Sequence, residues 1–262
     1  MKKLWQTFSY LIYRSKAVTR YKIHSPFVYQ LVNEVFRDKE KFTDFSRLNR
    51  IRKRYAKRVD KIETMDFGSG SGRNEFTVKI TSVGKIVKKR THSQKQLEFL
   101  YRMAQYFKPA TILEFGTAAG ISTNYLAMGS PTSRFITMEG CMGLASVADK
   151  NFKKRELKVE LEVGEFDAII DHVLEGIDHL DMIFVDGNHR KKPTIDYFEK
   201  CAKLATENSV FMFDDIHWSP GMQSAWNTIK KDKRVSVTID LFWVGLVFFK
   251  TDITKQDFVV RY

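Results

Sequence analysis

Cysteine is nearly absent from this chain of 262 residues: Cys141 and Cys201 are all it has. Two thiols are too few for a disulfide framework or a zinc cluster, and they fit a reducing compartment, so a cytoplasmic location is expected. No apolar run approaches the roughly 18 residues that a membrane span needs. The opening, Met1-Lys-Lys-Leu-Trp-Gln-Thr-Phe-Ser-Tyr-Leu-Ile-Tyr13, starts with the charge of a signal peptide. Gln6, Thr7 and Ser9 interrupt its apolar part, and no small-residue cleavage site follows. The segment reads as a helix with Leu4, Phe8, Leu11 and Ile12 on one face. There are no internal repeats and no low-complexity tract.

Acidic residues are scarce in the first third and ordinary after it. Residues 1–95 hold 24 Lys/Arg against 8 Asp/Glu, whereas residues 96–262 hold 20 against 23. The formal net charge of +13 is therefore carried by the N-terminal third. Such asymmetry leaves several partners open: an anionic substrate, a nucleic acid, a membrane surface, or solvent alone. Three helices are expected before residue 62. The second starts at His24-Ser-Pro-Phe, with Ser25 as N-cap and Pro26 at the first helical position. The third runs from about Phe45 to Val59, with Phe45, Leu48, Ile51, Tyr55 and Val59 at helical spacing. Arg47, Arg50, Arg52, Lys53, Arg54, Lys57 and Arg58 occupy its other faces.

The dinucleotide fingerprint G-x-G-x-x-G is missing at the most informative stretch, Thr111-Ile-Leu-Glu-Phe-Gly-Thr-Ala-Ala-Gly-Ile-Ser122. What stands there is E-x-G-x-x-x-G: a short apolar strand ending in Glu114, a turn through Gly116 and Gly120, and a helix start. Glycines in such a turn let backbone approach a ligand closely. Nineteen residues after Gly120, Arg134-Phe-Ile-Thr-Met-Glu-Gly140 ends a second strand on Glu139, where a carboxylate can accept both hydroxyl hydrogens of a ribose. Val159-Glu-Leu-Glu-Val-Gly-Glu-Phe166 is a third strand that turns at Gly164. Met182-Ile-Phe-Val-Asp-Gly-Asn-His189 ends a fourth on Asp186, and Ser209-Val-Phe-Met-Phe-Asp-Asp-Ile-His-Trp218 ends a fifth on Asp214 and Asp215. Helix-like segments separate them, so the pattern is βαβα with a mostly parallel sheet. Two β-rich runs, with Gly245 between them, close the chain.

These features, in this order over roughly residues 93–250, resemble class I S-adenosylmethionine-dependent methyltransferases of the small O-methyltransferase type, in the catechol O-methyltransferase-like branch. The resemblance implies a doubly wound, Rossmann-like, mostly parallel seven-stranded α/β sheet with one antiparallel strand. Here it would be preceded by a basic helical extension (1–62) and a glycine-rich loop or lid (63–92), with the catalytic domain at 93–262. It implies that S-adenosyl-L-methionine is held by Glu114, Gly116, Thr117, Gly120, Ser122, Glu139 and Gly140. Gly164, Glu165 and Phe166 would flank the adenine, and Asp186 would face the methyl site. The expected reaction moves a methyl group to a hydroxyl of a small molecule. Two ways of handling the hydroxyl proton fit the residues. In one, Asp186, Asp214 and Asp215 hold Mg²⁺ or Mn²⁺, as the resemblance implies, and the cation lowers the acceptor pKa. In the other, His189 or His217 is a general base. Strand-ending aspartates also serve as helix caps, and Asn188 can be a simple turn residue. Trp218 either walls the acceptor or packs in the core. Arg190, Lys191 and Lys192 bind an anionic acceptor or face solvent.

A methyltransferase acting on RNA is the alternative, with the basic third gripping phosphates, although no RNA-binding module and no Asn-Pro-Pro-Tyr-type motif is present. A non-catalytic binding protein that keeps the fold is a further one, and a homodimer is another open expectation. Asp66-Phe-Gly-Ser-Gly-Ser-Gly-Arg73 is a second glycine-rich sequence. It does not read as the cofactor loop, because Lys61-Ile-Glu-Thr-Met65 is too polar for a buried central strand and residues 73–92 lack a clear helical stripe. It is a surface loop or a lid.

Overall fold

The computed structural model describes residues 2–66 and 77–262. Beyond Asp66 the glycine-rich sequence lies outside the described residues, and with it the lid reading. The chain divides into two compact units, residues 38–173 and residues 1–37 together with 174–262. Helices α1 (Lys2–Lys16) and α2 (Pro26–Leu31) open the chain. Ser25 caps α2 as its spacing predicts, accepting from the Val28 N–H at 3.5 Å, with Pro26 in the first turn.

Residues 38–173 begin with α3 (Thr43–Tyr55), whose buried face is Phe45, Leu48, Ile51 and Tyr55. The helix stops short of the expected Val59, which is 84% exposed. Beyond Tyr55, Arg58 closes on Asp60 (2.5 Å), and the Arg58 and Asp60 carbonyls accept from Gly84 and Val83. Strands β1 (Lys61–Asp66) and β2 (Thr77–Ser82) make an antiparallel pair of their own, in keeping with a run too polar for a central strand. Next comes α4 (Val83–Arg90), where no clear stripe was expected. Val83, Ile86 and Val87 supply one over two turns, and Ser82 caps it.

The wound part of this unit runs α5 (Gln94–Phe107), β3 (Thr111–Phe115), α6 (Ile121–Gly129), β4 (Arg134–Glu139), α7 (Met142–Lys153), β5 (Val159–Val163) and α8 (Phe166–Glu175). A complete capping box, Ser93 with Gln96, starts α5. Strands β3, β4 and β5 are parallel neighbours in that order. Ile112 to Phe115 and Phe135 to Glu139 are buried without interruption, as parallel strands covered on both faces are.

The other unit carries β6 (Leu180–Val185), α9 (Lys191–Cys201), β7 (Ala205–Asp214), α10 (Pro220–Lys230), β8 (Val237–Asp240), β9 (Val244–Phe248) and β10 (Gln256–Val259). Its strands lie in the order β6, β7, β9, β8, β10, and β9 alone runs against its neighbours β7 and β8. This is the mostly parallel, helix-flanked α/β pattern expected. Beside the β1–β2 pair the described strands number eight where seven were expected, the extra one being β10. Gly245 lies inside β9 and not between the last strands. A Cβ there would sit 2.7 Å from the Trp226 ring, so the glycine makes room for that side chain. Helix α1 also differs from expectation. Leu4, Phe8 and Leu11 are 75%, 59% and 61% exposed, and the buried side is Ser9 and Tyr13. Tyr13 can go inward because its hydroxyl donates to the Val260 carbonyl at 2.6 Å. Burial pushes the Tyr13 phenol up to about 12. Among the described residues no helix is long and apolar enough to cross a membrane. Both cysteines are free and buried, and burial pushes the Cys201 thiol up.

Candidate functional site

In residues 38–173 the loop from β3 into α6 is built from left-handed backbone. Gly116, Ala118 and Gly120 have φ of 99°, 47° and 73°. The Gly116 and Thr117 N–H groups both donate to the Met138 carbonyl, at 3.0 and 3.1 Å, which docks the loop on β4. A Cβ on Gly120 would lie 2.7 Å from the ring of Phe152. The expected glycine turn is thus in place, pinned by a buried aromatic of α7.

Glu114 is fully buried. Its Oε1 accepts from Ser122 Oγ (2.6 Å), and its Oε2 accepts from Thr123 Oγ1 (2.5 Å) and Thr137 Oγ1 (2.8 Å). The carboxyl therefore ties β3 to the start of α6 and to β4. Burial raises its pKa, and the three hydroxyl bonds oppose that rise. Glu139 ends β4 as expected. Its two oxygens accept from the Ala118 N–H at 2.7 Å and the Cys141 N–H at 2.8 Å. Burial raises its pKa too, against the pull of those N–H groups and of Arg90. Gly140 follows it, and Gly164 N–H donates to the Glu139 carbonyl (3.0 Å), which brings the end of β5 alongside. Phe166 stands edge-on to Phe115 at 5.7 Å, and Glu165 is exposed. The sequence reading missed Thr123, Thr137, Asn151 and Phe152. Thr137 did carry a signal, as a lone hydroxyl inside an apolar strand. Asn151 Nδ2 donates to the Ala119 carbonyl at 3.1 Å.

The other unit gathers the acidic strand ends. Asp186 follows β6, Asp214 ends β7, and Asp215 comes next with φ of 54°. Ligand atoms of His189, Asp214 and Asp215 lie within 4.8 Å of one another, and those of Asp186 and Asp214 do so as well. His189 Nε2 is 3.7 Å from Asp186 Oδ1. An imidazole thus sits among three carboxylates. The side chain of Arg190, at the N-cap of α9, makes no cap hydrogen bond, and Ser219 Oγ caps α10 by accepting from the Met222 N–H (3.2 Å). Asn188 braces the β6–α9 turn, donating to Tyr197 OH at 2.8 Å and accepting from Arg190 Nε at 2.6 Å. Its φ of 50° suits an asparagine. Three carboxylate oxygens and one imidazole nitrogen suit Mg²⁺ or Mn²⁺.

Asp215 also borders a pocket of about 400 Å³. Its walls are aromatic: Tyr10 from α1, Trp218 after β7, and Phe242 and Trp243 in the β8–β9 turn. His217 lines it as well, stacked on Phe242 at 5.1 Å and 12°. Trp218 is thus a pocket wall and no core residue. Tyr10, Phe242 and Trp243 were not legible as site residues, because they come from the two ends of the chain. Helix α1 is held here by Trp5, whose indole N–H donates to the His217 carbonyl at 3.2 Å.

Comparison with known proteins finds similarity over the same part of the chain. Residues 113–216 match the model of a methyltransferase domain family. A catechol O-methyltransferase of Niastella koreensis is 34% identical over 128 residues, 47% of this chain and 57% of that protein. One of Mycobacterium tuberculosis is 29% identical over 127 residues, 47% of this chain and 56% of the other. The chain thus spans a little over half the length of the curated relatives it matches. The O-methyltransferase of Bacillus cereus in complex with SAH superimposes with a TM-score of 0.55 at 21% identity, over 85% of this chain and 97% of its own. The O-methyltransferase TomG of Streptomyces achromogenes in complex with SAM gives 0.54 at 23%, over 62% and 82%. The fold is that of the Rossmann-like methyltransferases, and residues 113–216 are similar to a methyltransferase domain.

Proposed function

We propose that this protein transfers the methyl group of S-adenosylmethionine to a hydroxyl of a small, flat molecule. The observation that carries the reading is one shared residue. Asp215 belongs both to the carboxylate–imidazole cluster and to the aromatic pocket, so a ring seated in the pocket has the cluster at its edge. The pocket is large enough for a small ring system, and its aromatic walls are joined by the polar side chains of Gln6, Thr7, Asp215 and His217, a mix that acceptor sites share. The relatives named catechol O-methyltransferase support the same chemistry.

In this reading the loop backbone of residues 116–120 lies against the methionine moiety. Glu139 receives the ribose hydroxyls, for which it has acceptor capacity left beyond its two backbone bonds. Glu114 braces the loop from beneath through Ser122, Thr123 and Thr137. Gly164, Glu165 and Phe166 border the adenine. Asp186, His189, Asp214 and Asp215 would hold a divalent cation, whose contribution when bound is to lower the pKa of the acceptor hydroxyl. The aromatic walls orient the acceptor ring, with its hydroxyl toward the carboxylate–imidazole cluster.

The direct test is incubation with S-adenosylmethionine, Mg²⁺ and a panel of small catechols and phenols, with product read by mass spectrometry. A methyl ether of at least one panel member is expected. Folded protein that binds S-adenosylhomocysteine in a calorimeter yet methylates none of the panel would overturn the acceptor assignment. The pocket makes a separate demand. Tyr10→Ala removes a wall contributed by α1, so it should raise the acceptor KM by roughly tenfold, the loss of an aromatic contact worth about 1.4 kcal/mol. Cofactor affinity should stay within about twofold, because Tyr10 is not among the proposed cofactor residues. An unchanged acceptor KM would remove α1 from the site.

A further inference from the structure

Helix α1 turns an apolar stripe to solvent. Leu4, Phe8 and Leu11 follow one another at i, i+4 and i+7, on one side of the helix, and each is more than half exposed. The helix is held to its unit from its other faces, by Tyr13 on the Val260 carbonyl and by Trp5 on the His217 carbonyl. The charge along this segment has one sign. Residues 1–37 hold seven Lys/Arg against one Asp/Glu. Arg14 and Lys16 are exposed in the last turn of α1, and Lys22 is exposed shortly after it. Among the described residues none of these three makes an ion pair. An apolar stripe flanked by unpaired cations is what an interfacial helix presents to lipid. With 15 residues, many of them polar, α1 cannot span a bilayer but can lie in its surface. The same charge disfavours a second copy as occupant, because the copy would bring a matching excess of cations to the contact. The stripe also borders the aromatic pocket. Gln6, Thr7 and Tyr10 of α1 line that pocket, and the helical neighbours of Thr7 at i−3 and i+4 are Leu4 and Leu11.

We propose that α1 docks on an anionic lipid surface, with Leu4, Phe8 and Leu11 at the level of the acyl chains and Arg14, Lys16 and Lys22 at the headgroups, so that the aromatic pocket takes acceptors dissolved in the bilayer. The docking stands on the helix alone. The route of the acceptor rests on reading the aromatic pocket as the acceptor site, and it adds to that reading a substrate class: ring compounds with a hydroxyl and enough hydrocarbon to partition into lipid.

Docking is measured on the full-length protein by cosedimentation with phosphatidylcholine vesicles, with and without phosphatidylglycerol. Binding should be roughly tenfold or more tighter with phosphatidylglycerol, since each cation near such a surface is worth about fivefold. High salt should weaken it. Leu4→Ser, Phe8→Ser and Leu11→Ser combined should lower vesicle binding by roughly tenfold or more. Tm and S-adenosylhomocysteine binding should stay as in the wild type, because these side chains stand mostly in water. A solvent-sensitive fluorophore on Phe8→Cys reads insertion directly. Cys141 and Cys201 are buried, so the label goes to position 8, and its emission should shift to the blue on anionic vesicles. Vesicle binding that survives the triple serine variant would overturn the proposal, for it would be adsorption through charge elsewhere. Absence of binding to either vesicle would overturn it too. Should the wild type then sediment as a dimer that the triple variant dissolves, the stripe belongs to a second copy. The route is tested with a catechol bearing a long alkyl chain, held in vesicles, against catechol free in solution. The triple variant should turn over the first roughly tenfold more slowly and the second at the wild-type rate. An equal effect on both would overturn the route. Vesicle docking by a protein that methylates neither would uphold the docking and sink the proposed reaction instead.

Discussion

A valine at position 120 is expected to destabilise the fold around the β3–α6 turn and to do more than silence binding. From the sequence, a side chain there blocks only the close approach of a ligand, with little harm to the core. The structure adds two costs. Gly120 has φ of 73°, a conformation that a β-branched residue adopts at about 1–2 kcal/mol or more. A Cβ would also stand 2.7 and 2.9 Å from two ring carbons of Phe152, which is 3% exposed and cannot swing out. Overpacking of that kind costs about 1–3 kcal/mol. The sum, roughly 2–5 kcal/mol, is a large part of the 5–15 kcal/mol that holds an ordinary domain. Thermal unfolding should show Tm lowered by roughly 5–20 °C. Gly120→Ala should fall between, since it meets the ring with one methyl and lacks the branch. A valine variant with wild-type Tm that fails to bind S-adenosylhomocysteine would restore the simpler view of the loop as a pure ligand cradle.

That correction shows which parts of the molecule the sequence makes legible. The turn at residues 116–120 is visible because glycines that interrupt a strand–helix junction have a local cause. The acidic strand ends are visible for the same reason: each apolar run stops at a carboxylate. Phe152 is invisible because it reaches the turn from the next helix but one. Glu114 is a subtler case. Its place at the end of an apolar strand reads as a ligand contact, yet Ser122, Thr123 and Thr137 occupy both of its oxygens. Helical periodicity found the stripe of α1 at Leu4, Phe8 and Leu11, but periodicity does not say what covers a stripe. Tertiary partners decided it, and Tyr13 and Ser9 went inward. The pocket is the least legible part, since Tyr10 and Phe242 meet only when the chain ends come together. Their rings stand 5.0 Å apart.

Removing the charge of Asp214 should abolish turnover without harming the fold. Asp214 is the residue common to both close groupings of ligand atoms, one with His189 and Asp215 and one with Asp186. It is also 5% exposed, so its charge is poorly screened by water. If these side chains hold a divalent cation, excess chelator should stop methyl transfer, and Mg²⁺ or Mn²⁺ should restore it. Asp214→Asn should lower kcat by about two to three powers of ten, the several kcal/mol that a cation contributes to an ionising hydroxyl. Asp215→Asn should do the same, and asparagine is the right replacement there because it tolerates the left-handed backbone at φ of 54°. Binding of Mn²⁺, followed by its paramagnetic resonance, gives a readout independent of turnover and should weaken in both variants. Stability should move the other way. Carboxylates crowded within 4.8 Å repel one another in the absence of a cation, so neutralising one should leave the metal-free Tm unchanged or raised. Full activity in excess chelator would shift the proton to a side chain, and the two imidazoles then separate cleanly. His189 stands 3.7 Å from Asp186 inside the carboxylate group, whereas His217 is bound to Asp240 within the aromatic pocket. His189→Gln and His217→Gln, assayed in chelator, would each remove one of them, and the variant that loses turnover identifies the group on which the acceptor hydroxyl depends.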